Sequence, residues 1–251
     1  DYKMKRNIRL LIEYDGGRYR GWQKQGKNAD ADTIQGRLEQ VLSRMTGEDV
    51  QLIGSGRTDA GVHALGQVAN FHTDCGMSCG EIRDYLTRYL PADIGILKVS
   101  DAGERFHSRL NAAEKTYCYR IAVPGVPHVF DRKYLWHFPE PLDMKKMEQA
   151  ADFLTGRHDF KGFSSIKRTK KSTVRELYAI DIEKKEKEIL ISFTGNGFLH
   201  NMVRILTGTL VEIGCGRKQP EDVLTVLQTK DRQDAGMTAP PQGLFLVSVK
   251  Y

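Results

Sequence analysis

Along the chain the apolar residues follow two rhythms, one of period two and one of period three to four. Residues 6–14 carry the β-rich run Ile8-Arg9-Leu10-Leu11-Ile12-Glu13-Tyr14 and stop at Asp15-Gly16-Gly17, which predicts a strand ending in a turn. Over 33–46, Ile34, Leu38, Val41, Leu42 and Met45 fall at helical spacing, with Thr33 placed to cap the first turn and Gly47 to end the last. Short strands are predicted at 50–54, 66–73 and 94–99, and a helix at about 79–90 that Pro91 ends.

The second half repeats this succession more weakly. Residues 115–123 read as a strand and 143–154 as a helix. Residues 174–183 and 188–194 read as a hairpin turning on Lys184-Lys185-Glu186-Lys187, followed by helices at 198–213 and 220–229 and a last strand at 243–250. No sequence repeat underlies the two passes. The order β-α-β-β-α-β predicts an α+β fold in which two similar α/β halves form a largely antiparallel mixed sheet with helices on one side. The expected halves are 4–105 and 106–251, with a central cleft between them as the natural site. Asp1-Tyr2-Lys3, ahead of Met4, reads as an added remnant.

Composition narrows the class. Of the 251 residues 40% are apolar and 28% charged, which excludes wholesale disorder and collagen-like repeats. The 38 Lys plus Arg exceed the 32 Asp plus Glu, and a net charge of +6 favours polyanions such as nucleic acid without excluding an ordinary enzyme. Four cysteines are too few for a disulfide scaffold, and Cys75 and Cys79 have no second close pair to complete a zinc site. Free thiols in a reducing cytosol are the expectation, and no apolar run reaches the ~18 residues of a membrane helix. A cytoplasmic protein with neither metal nor membrane association follows.

The densest unusual stretch is Gly54-Ser55-Gly56-Arg57-Thr58-Asp59-Ala60-Gly61-Val62-His63-Ala64, joining two predicted strands. Its glycines let the backbone turn tightly or approach a ligand. In extended chain Arg57 and Asp59 project to one side, and a carboxylate beside guanidinium groups stays ionised, which suits a nucleophile or base. The plainer reading is an Arg–Asp pair tying down a turn. Neither the Walker spacing nor the dinucleotide-binding glycine pattern is present. His63 alone reads as a satisfied hydrogen-bonding residue rather than a catalyst.

Gly56-Arg57-Thr58-Asp59-Ala60-Gly61-Val62-His63-Ala64 resembles the signature of the tRNA pseudouridine synthase A family, and the resemblance runs almost end to end. Tyr14-Asp15-Gly16 with Tyr19, Gly21, Trp22 and Gln23 resembles its opening block, and Phe106-His107-Ser108-Arg109 through Tyr117 and Tyr119 its F-H-A-R segment. Gly195-Asn196-Gly197-Phe198-Leu199 with Met202, Val203 and Arg204 resembles its G-N-x-F-L-x-x-M-V-R helix, and Gly243-Leu244-Phe245-Leu246 with Val249 and Tyr251 its closing strand. Ser108 stands where alanine is usual, a small-for-small change expected to be silent.

The resemblance implies the pseudouridine synthase fold and isomerisation of uridine to pseudouridine in the anticodon stem-loop of tRNA, at positions 38 to 40. It implies neither metal nor organic cofactor, and a homodimer in which each tRNA touches both subunits. Asp59 takes the place of the essential aspartate. Whether it adds to C1′, to C6, or acts through a glycal stays open. Tyr117 matches the tyrosine that stacks on the flipped-out base, Arg204 the arginine that pairs with the aspartate, and Leu244 and Leu246 the segment that packs on the base.

Beside these assignments stand readings from pattern alone. Tyr117 and Tyr119 share a face of their strand and could line the cleft or sit in the core. His200 and Arg204, four apart, fall on one flank of an apolar helical stripe. Two basic stretches are candidate RNA-backbone contacts: Arg18, Arg20 and Lys24, interleaved with Tyr19 and Trp22, and the cluster Lys167, Arg168, Lys170, Lys171 and Arg175. A non-catalytic structured-RNA-binding protein is the first rival reading and a small-substrate hydrolase the second. The hydrolase wants paired carboxylates or an activated Ser or Cys, and no such motif stands out.

Overall fold

The computed structural model describes residues 5–26 and 32–251. The expected remnant 1–3 lies outside them. The chain divides into two compact units, Asp1–Ala113 with Leu246–Tyr251, and Glu114–Phe245.

The first unit runs β1 (Arg6–Tyr14), α1 (Ile34–Thr46), β2 (Ile53–Gly54), β3 (His63–Thr73), α2 (Cys79–Tyr89) and β4 (Ile94–Ala102). This is the predicted order. Strand β1 lies between β3 and β4, antiparallel to both, and β2 adds to β3, also antiparallel. Alternation on β1 buries Ile8, Leu10, Ile12 and Tyr14 on one face. Near its end the register with β3 slips, pairing Ile12 with Gln67 but Tyr14 with Ala64, so the strand reaches the glycine-rich loop through a bulge.

Helix α1 is bounded as its caps dictate. The Thr33 hydroxyl accepts the Gly36 N–H, and Gly47 closes the helix in the left-handed region, its N–H bonded to the Ser43 carbonyl. On α2, Ser78 and Glu81 form a reciprocal capping box.

The Phe106–Arg109 segment is tied down by polar groups. Asn7 donates to the Gly103 and Phe106 carbonyls at 2.9 Å, and Asn70 donates to Asn7 Oδ1 at 2.9 Å. The Ser108 N–H and hydroxyl both donate to Asn70 Oδ1, at 2.9 and 2.6 Å. Ser108 therefore does more than fill an alanine-sized space. Above this network the Arg9 guanidinium lies between the rings of Phe106 and Tyr251, 5.1 and 4.7 Å from their centroids.

The second unit runs β5 (Glu114–Ala122), α3 (Met144–Leu154), β6 (Gly156–Asp159), β7 (Val174–Lys184), β8 (Glu188–Gly195), α4 (Met202–Gly214) and α5 (Asp222–Thr229). Its strands are ordered β5-β8-β7-β6, every pair antiparallel. The β7–β8 hairpin turns at the charged run as expected, closed by the Lys185 N–H on the Glu188 carbonyl. Helix α3 packs against α4 and α5. The last strand, β9 (Leu244–Lys250), gives its first two residues to this unit and the rest to the first.

Helix α4 departs from expectation twice. It begins at Met202 rather than 198, and it is buried nearly all round instead of along one stripe. Two threonines within it satisfy themselves, Thr207 donating to the Val203 carbonyl at 2.8 Å and Thr209 to the Ile205 carbonyl at 2.7 Å. All four cysteines are free thiols. Among the described residues no helix is long and apolar enough to cross a membrane.

Candidate active site

In the first unit, the segment after β1 and the loop between β2 and β3 are packed backbone to backbone. The Trp22 N–H donates to the Thr58 carbonyl at 3.0 Å, and the Tyr14 and Thr58 hydroxyls share a buried hydrogen bond of 2.7 Å. Neither Gly16 nor Gly21 has room for a side chain. A Cβ at 16 would overlap the Val62 carbonyl, and one at 21, where φ is +94°, would lie 2.6 Å from the Thr58 carbonyl oxygen. Two of the recognised blocks are thus a single packed object.

Other bonds fix the loop at both ends. Gln67 accepts from the Ser55 hydroxyl and donates to the Gly56 carbonyl at 3.0 Å. The Val62 N–H returns to the Asp59 carbonyl at 3.1 Å, across a turn whose third residue, Gly61, has φ +82°. His63 is buried, and its Nδ1 accepts the Gly16 N–H at 2.9 Å, the structural role its sequence context suggested. That lone pair is occupied by a neutral donor, so the 3.2 Å approach of Asp15 Oδ1 to the same nitrogen is not an ion pair.

Asp59 sits half-buried within this frame. Arg57, two residues before it, is exposed and forms no ion pair or hydrogen bond among the described residues. The expected pairing of Arg57 with Asp59 is therefore absent, because the loop is held by Thr58, Gln67 and the packed glycines instead.

The Tyr14–Gln23 segment is itself braced. Burial raises the Tyr19 phenol, and its hydroxyl donates to Asp93 Oδ1 at 2.7 Å; Arg18 pairs with the same carboxylate. Burial pushes the Asp93 carboxyl up, but the Arg18 and Tyr19 hydrogen bonds outweigh it and hold it below its ordinary value. Lys24 Nζ lies 2.7 Å from Glu39 Oε2, a buried carboxylate that also accepts the Leu52 N–H at 2.9 Å. Arg20 Nε is 3.9 Å from Asp32. All three cations of the first basic stretch are committed to carboxylates. Lys167, Arg168, Lys170 and Lys171 are exposed and have no acidic partner among the described residues.

In the second unit, Tyr117 lies on β5 opposite Phe193 of β8 and is 8% exposed, its ring edge-on to Phe198 at 5.0 Å. Tyr119, on the same face, is fully buried and donates to the Pro240 carbonyl at 2.6 Å. Its ring fills the space beside Gly243, where a Cβ would come within 2.8 Å of it. Tyr119 is thus a core residue rather than a wall of a binding site. On β9, Leu244 in this unit and Leu246 in the first are both buried, at 5% and 1% exposure.

Arg204 stands in the first turn of α4. Its Nε donates to the Ala239 carbonyl at 2.8 Å and its Nη1 to Asn201 Oδ1 at 3.3 Å, while the Ala239 N–H returns to the Arg204 carbonyl at 3.0 Å. Asn201 has φ +60° and occupies the cap position without capping the helix; its side-chain nitrogen donates to Ser165 Oγ at 2.9 Å. His200 precedes the helix and is exposed, so it does not share a helical flank with Arg204. Sequence reasoning missed Asn201. The signal was an asparagine, the residue besides glycine that tolerates the left-handed region, just before a helical apolar run.

A family profile described as tRNA pseudouridine synthase matches residues 10–111 and 150–251. Asp59 falls in the first matched span and Arg204, Leu244 and Leu246 in the second, with Tyr117 between the two. A protein of Bacillus sp. (strain KSM-64) named tRNA pseudouridine synthase A is 47% identical over 245 residues, covering 98% of this chain and 99% of the relative. One of Clostridium tetani, named tRNA pseudouridine synthase A 1, is 48% identical over 246 residues, covering 98% and 100%. A third, from Bacillus anthracis and named tRNA pseudouridine synthase A 2, is 44% identical over 245 residues, covering 98% and 99%.

Proposed function

Because the chain belongs to the tRNA pseudouridine synthase family, we propose that it isomerises uridine to pseudouridine in the anticodon stem-loop of tRNA, at positions 38 to 40, through Asp59. Family membership makes it an isomerase. The finer assignments rest on the chemistry of the residues. The observation that carries them is the rigid seat of Asp59, beside which Thr58 is held by Tyr14, Trp22 and the packed Gly21, and Gly61 donates to the Tyr19 carbonyl.

The reaction breaks the N-glycosidic bond, turns the base while it is bound, and joins C5 of uracil to the ribose. Asp59 attacks carbon or removes a proton, and either role requires a carboxylate in a fixed position. Arg204 supplies compensating positive charge, and two carbonyl-class acceptors hold its guanidinium in place. A uridine in a helical stem must first leave the stack, at a cost of a few kcal/mol. Stacking on Tyr117 returns roughly 1–3 kcal/mol of it, and Leu244 and Leu246 add apolar contact. Exposed Arg57, without a partner among the described residues, meets the RNA beside the extruded nucleotide.

Backbone phosphates are held by Lys167, Arg168, Lys170 and Lys171, whose charge no carboxylate among the described residues neutralises, rather than by the paired Arg18, Arg20 and Lys24. A cytoplasmic homodimer completes the reading. Incubating an unmodified tRNA transcript with the protein and mapping pseudouridine along it tests the target. New pseudouridine confined to 38–40 is expected; product elsewhere, with those uridines unchanged, refutes the site choice.

A further inference from the structure

Arg175, on β7, is held in place but has no counter-ion among the described residues. Its Nη1 donates to the Ser172 and Val174 carbonyls, both at 2.8 Å, which fixes the direction of the guanidinium. Its Nε and Cδ lie across Gly197, where a Cβ would be 3.4 and 3.5 Å from them. The side chain is half-buried, and burial alone depresses its basicity, with no carboxylate acting the other way. Arg6, Arg18, Arg120 and Arg217 each pair with a carboxylate, whereas Arg175 has no acidic partner among the described residues. A guanidinium ordered and partly desolvated without an anion has paid most of the cost of binding one.

We infer that Arg175 is an anchor for one backbone phosphate of the substrate RNA, seated next to the segment that positions the target nucleotide. The inference rests on the proposed function, because it takes RNA as the substrate. Three features select phosphate. The Nε and Nη2 donors, which have no partner among the described residues, form the fork that matches two oxygens of one anion. The exposed cations that precede it in the chain, Lys167, Arg168, Lys170 and Lys171, have no acidic partner among the described residues, so a single small carboxylate would leave them unused while a polyanion would not. Gly197 immediately precedes Phe198, whose ring supports Tyr117, so a phosphate on Arg175 sets the strand in register with the aromatic pair.

These cations and the anchor differ physically. Flexible exposed lysines attract the backbone without fixing it, whereas Arg175 is immobilised by its own carbonyl bonds and presents one geometry. Asn196 holds the same corner, accepting the Glu176 N–H on its side-chain oxygen at 2.9 Å and donating its own N–H to the Glu176 carbonyl at 3.0 Å. The anchor and the Gly197 turn are therefore fixed to one strand.

The test is binding of unmodified tRNA by wild type, Arg175→Gln and Arg175→Lys across a series of salt concentrations, with tritium release from C5-labelled tRNA as a second readout. Arg175→Gln should weaken binding about tenfold and lower the slope of log affinity against log salt by about 0.7–0.9, the value for one lost phosphate contact. Its tritium release at limiting tRNA should fall by about the same factor as its affinity. Arg175→Lys should keep the slope and lose part of the affinity. A folded Arg175→Gln variant with an unchanged slope overturns the inference. If that variant melts much lower, modification of wild-type Arg175 by phenylglyoxal gives the answer: protection by bound tRNA supports the anchor, and modification indifferent to tRNA overturns it. Wild-type protein that neither binds tRNA nor releases tritium removes the proposed function, and this inference with it.

Discussion

Asn201 Oδ1 accepts from Arg204 Nη1 at 3.3 Å while the Asn201 side-chain nitrogen donates to Ser165 at 2.9 Å, so a residue in the left-handed region tethers the arginine to a neighbouring loop. Asn201→Gly removes the tether at a position whose φ of +60° glycine adopts without strain. The melting temperature should change little, relief of the left-handed backbone offsetting the two lost hydrogen bonds. Turnover should fall roughly tenfold, about 1.4 kcal/mol of transition-state stabilisation, with KM for tRNA little changed. Arg204→Ala should abolish turnover with the fold intact. Wild-type turnover in Asn201→Gly would show that Arg204 needs no such brace.

Gly21→Ala should destabilise the first unit by at least about 2 kcal/mol, since it combines a left-handed backbone with a clash against the Thr58 carbonyl. Activity should fall further than stability, because the displaced carbonyl belongs to the residue before Asp59. Denaturant melts alongside turnover check this; an unaffected melt would mean that the two segments are not locked together.

The two basic stretches should behave oppositely. Neutralising Lys170 and Lys171 to Gln should flatten the salt dependence of tRNA binding and leave stability within about 0.5 kcal/mol, as expected for exposed side chains with no acidic partner among the described residues. Lys24→Gln should leave the salt slope alone and cost about 1–3 kcal/mol, because it removes the charged partner of the buried Glu39 carboxylate. Binding and melting of both variants, compared directly, decide the assignment.

Acid should loosen the Tyr14–Gln23 segment through Asp93. Burial opposes its ionised form, but hydrogen bonds from Arg18 and Tyr19 prevail, and the folded-state pKa lies below the unfolded one. The stability this contributes is complete above the unfolded value of about 3.9 and is lost as pH falls through the lower folded value. Asp93→Asn should lower the melting temperature at neutral pH and make it less sensitive to acid below about pH 4. A variant whose acid limb matches wild type would assign the acid sensitivity to other carboxylates.

Much of this was legible in the sequence where local rules decide. Thr33 and Gly47 bound α1 as a capping hydroxyl and a left-handed glycine should. The expected start of α4 was four residues early, because Phe198 and Leu199 read as helical apolar positions while Gly195, Gly197 and the left-handed Asn201 keep the chain irregular. Strand β6, Gly-Arg-His-Asp, carries no alternation and gave no signal; its pairing with β7 defines it. Charge was the least legible feature. Lys24 and Lys170 look alike in a sequence, and only the fold brings Glu39 to the first while leaving the second bare. Tyr117 and Tyr119 likewise share one pattern, and the contact with Pro240 separates them.

The central claim is that the Asp59 carboxylate drives the isomerisation. Tritium at C5 of uridine in tRNA is released to water only when C5 becomes the glycosidic carbon, so release by wild type and by Asp59→Asn measures the claim directly. Wild type should release label at the modified uridine, while Asp59→Asn, folded and still binding tRNA, should release none. Release by the folded amide variant at the wild-type rate would contradict the account.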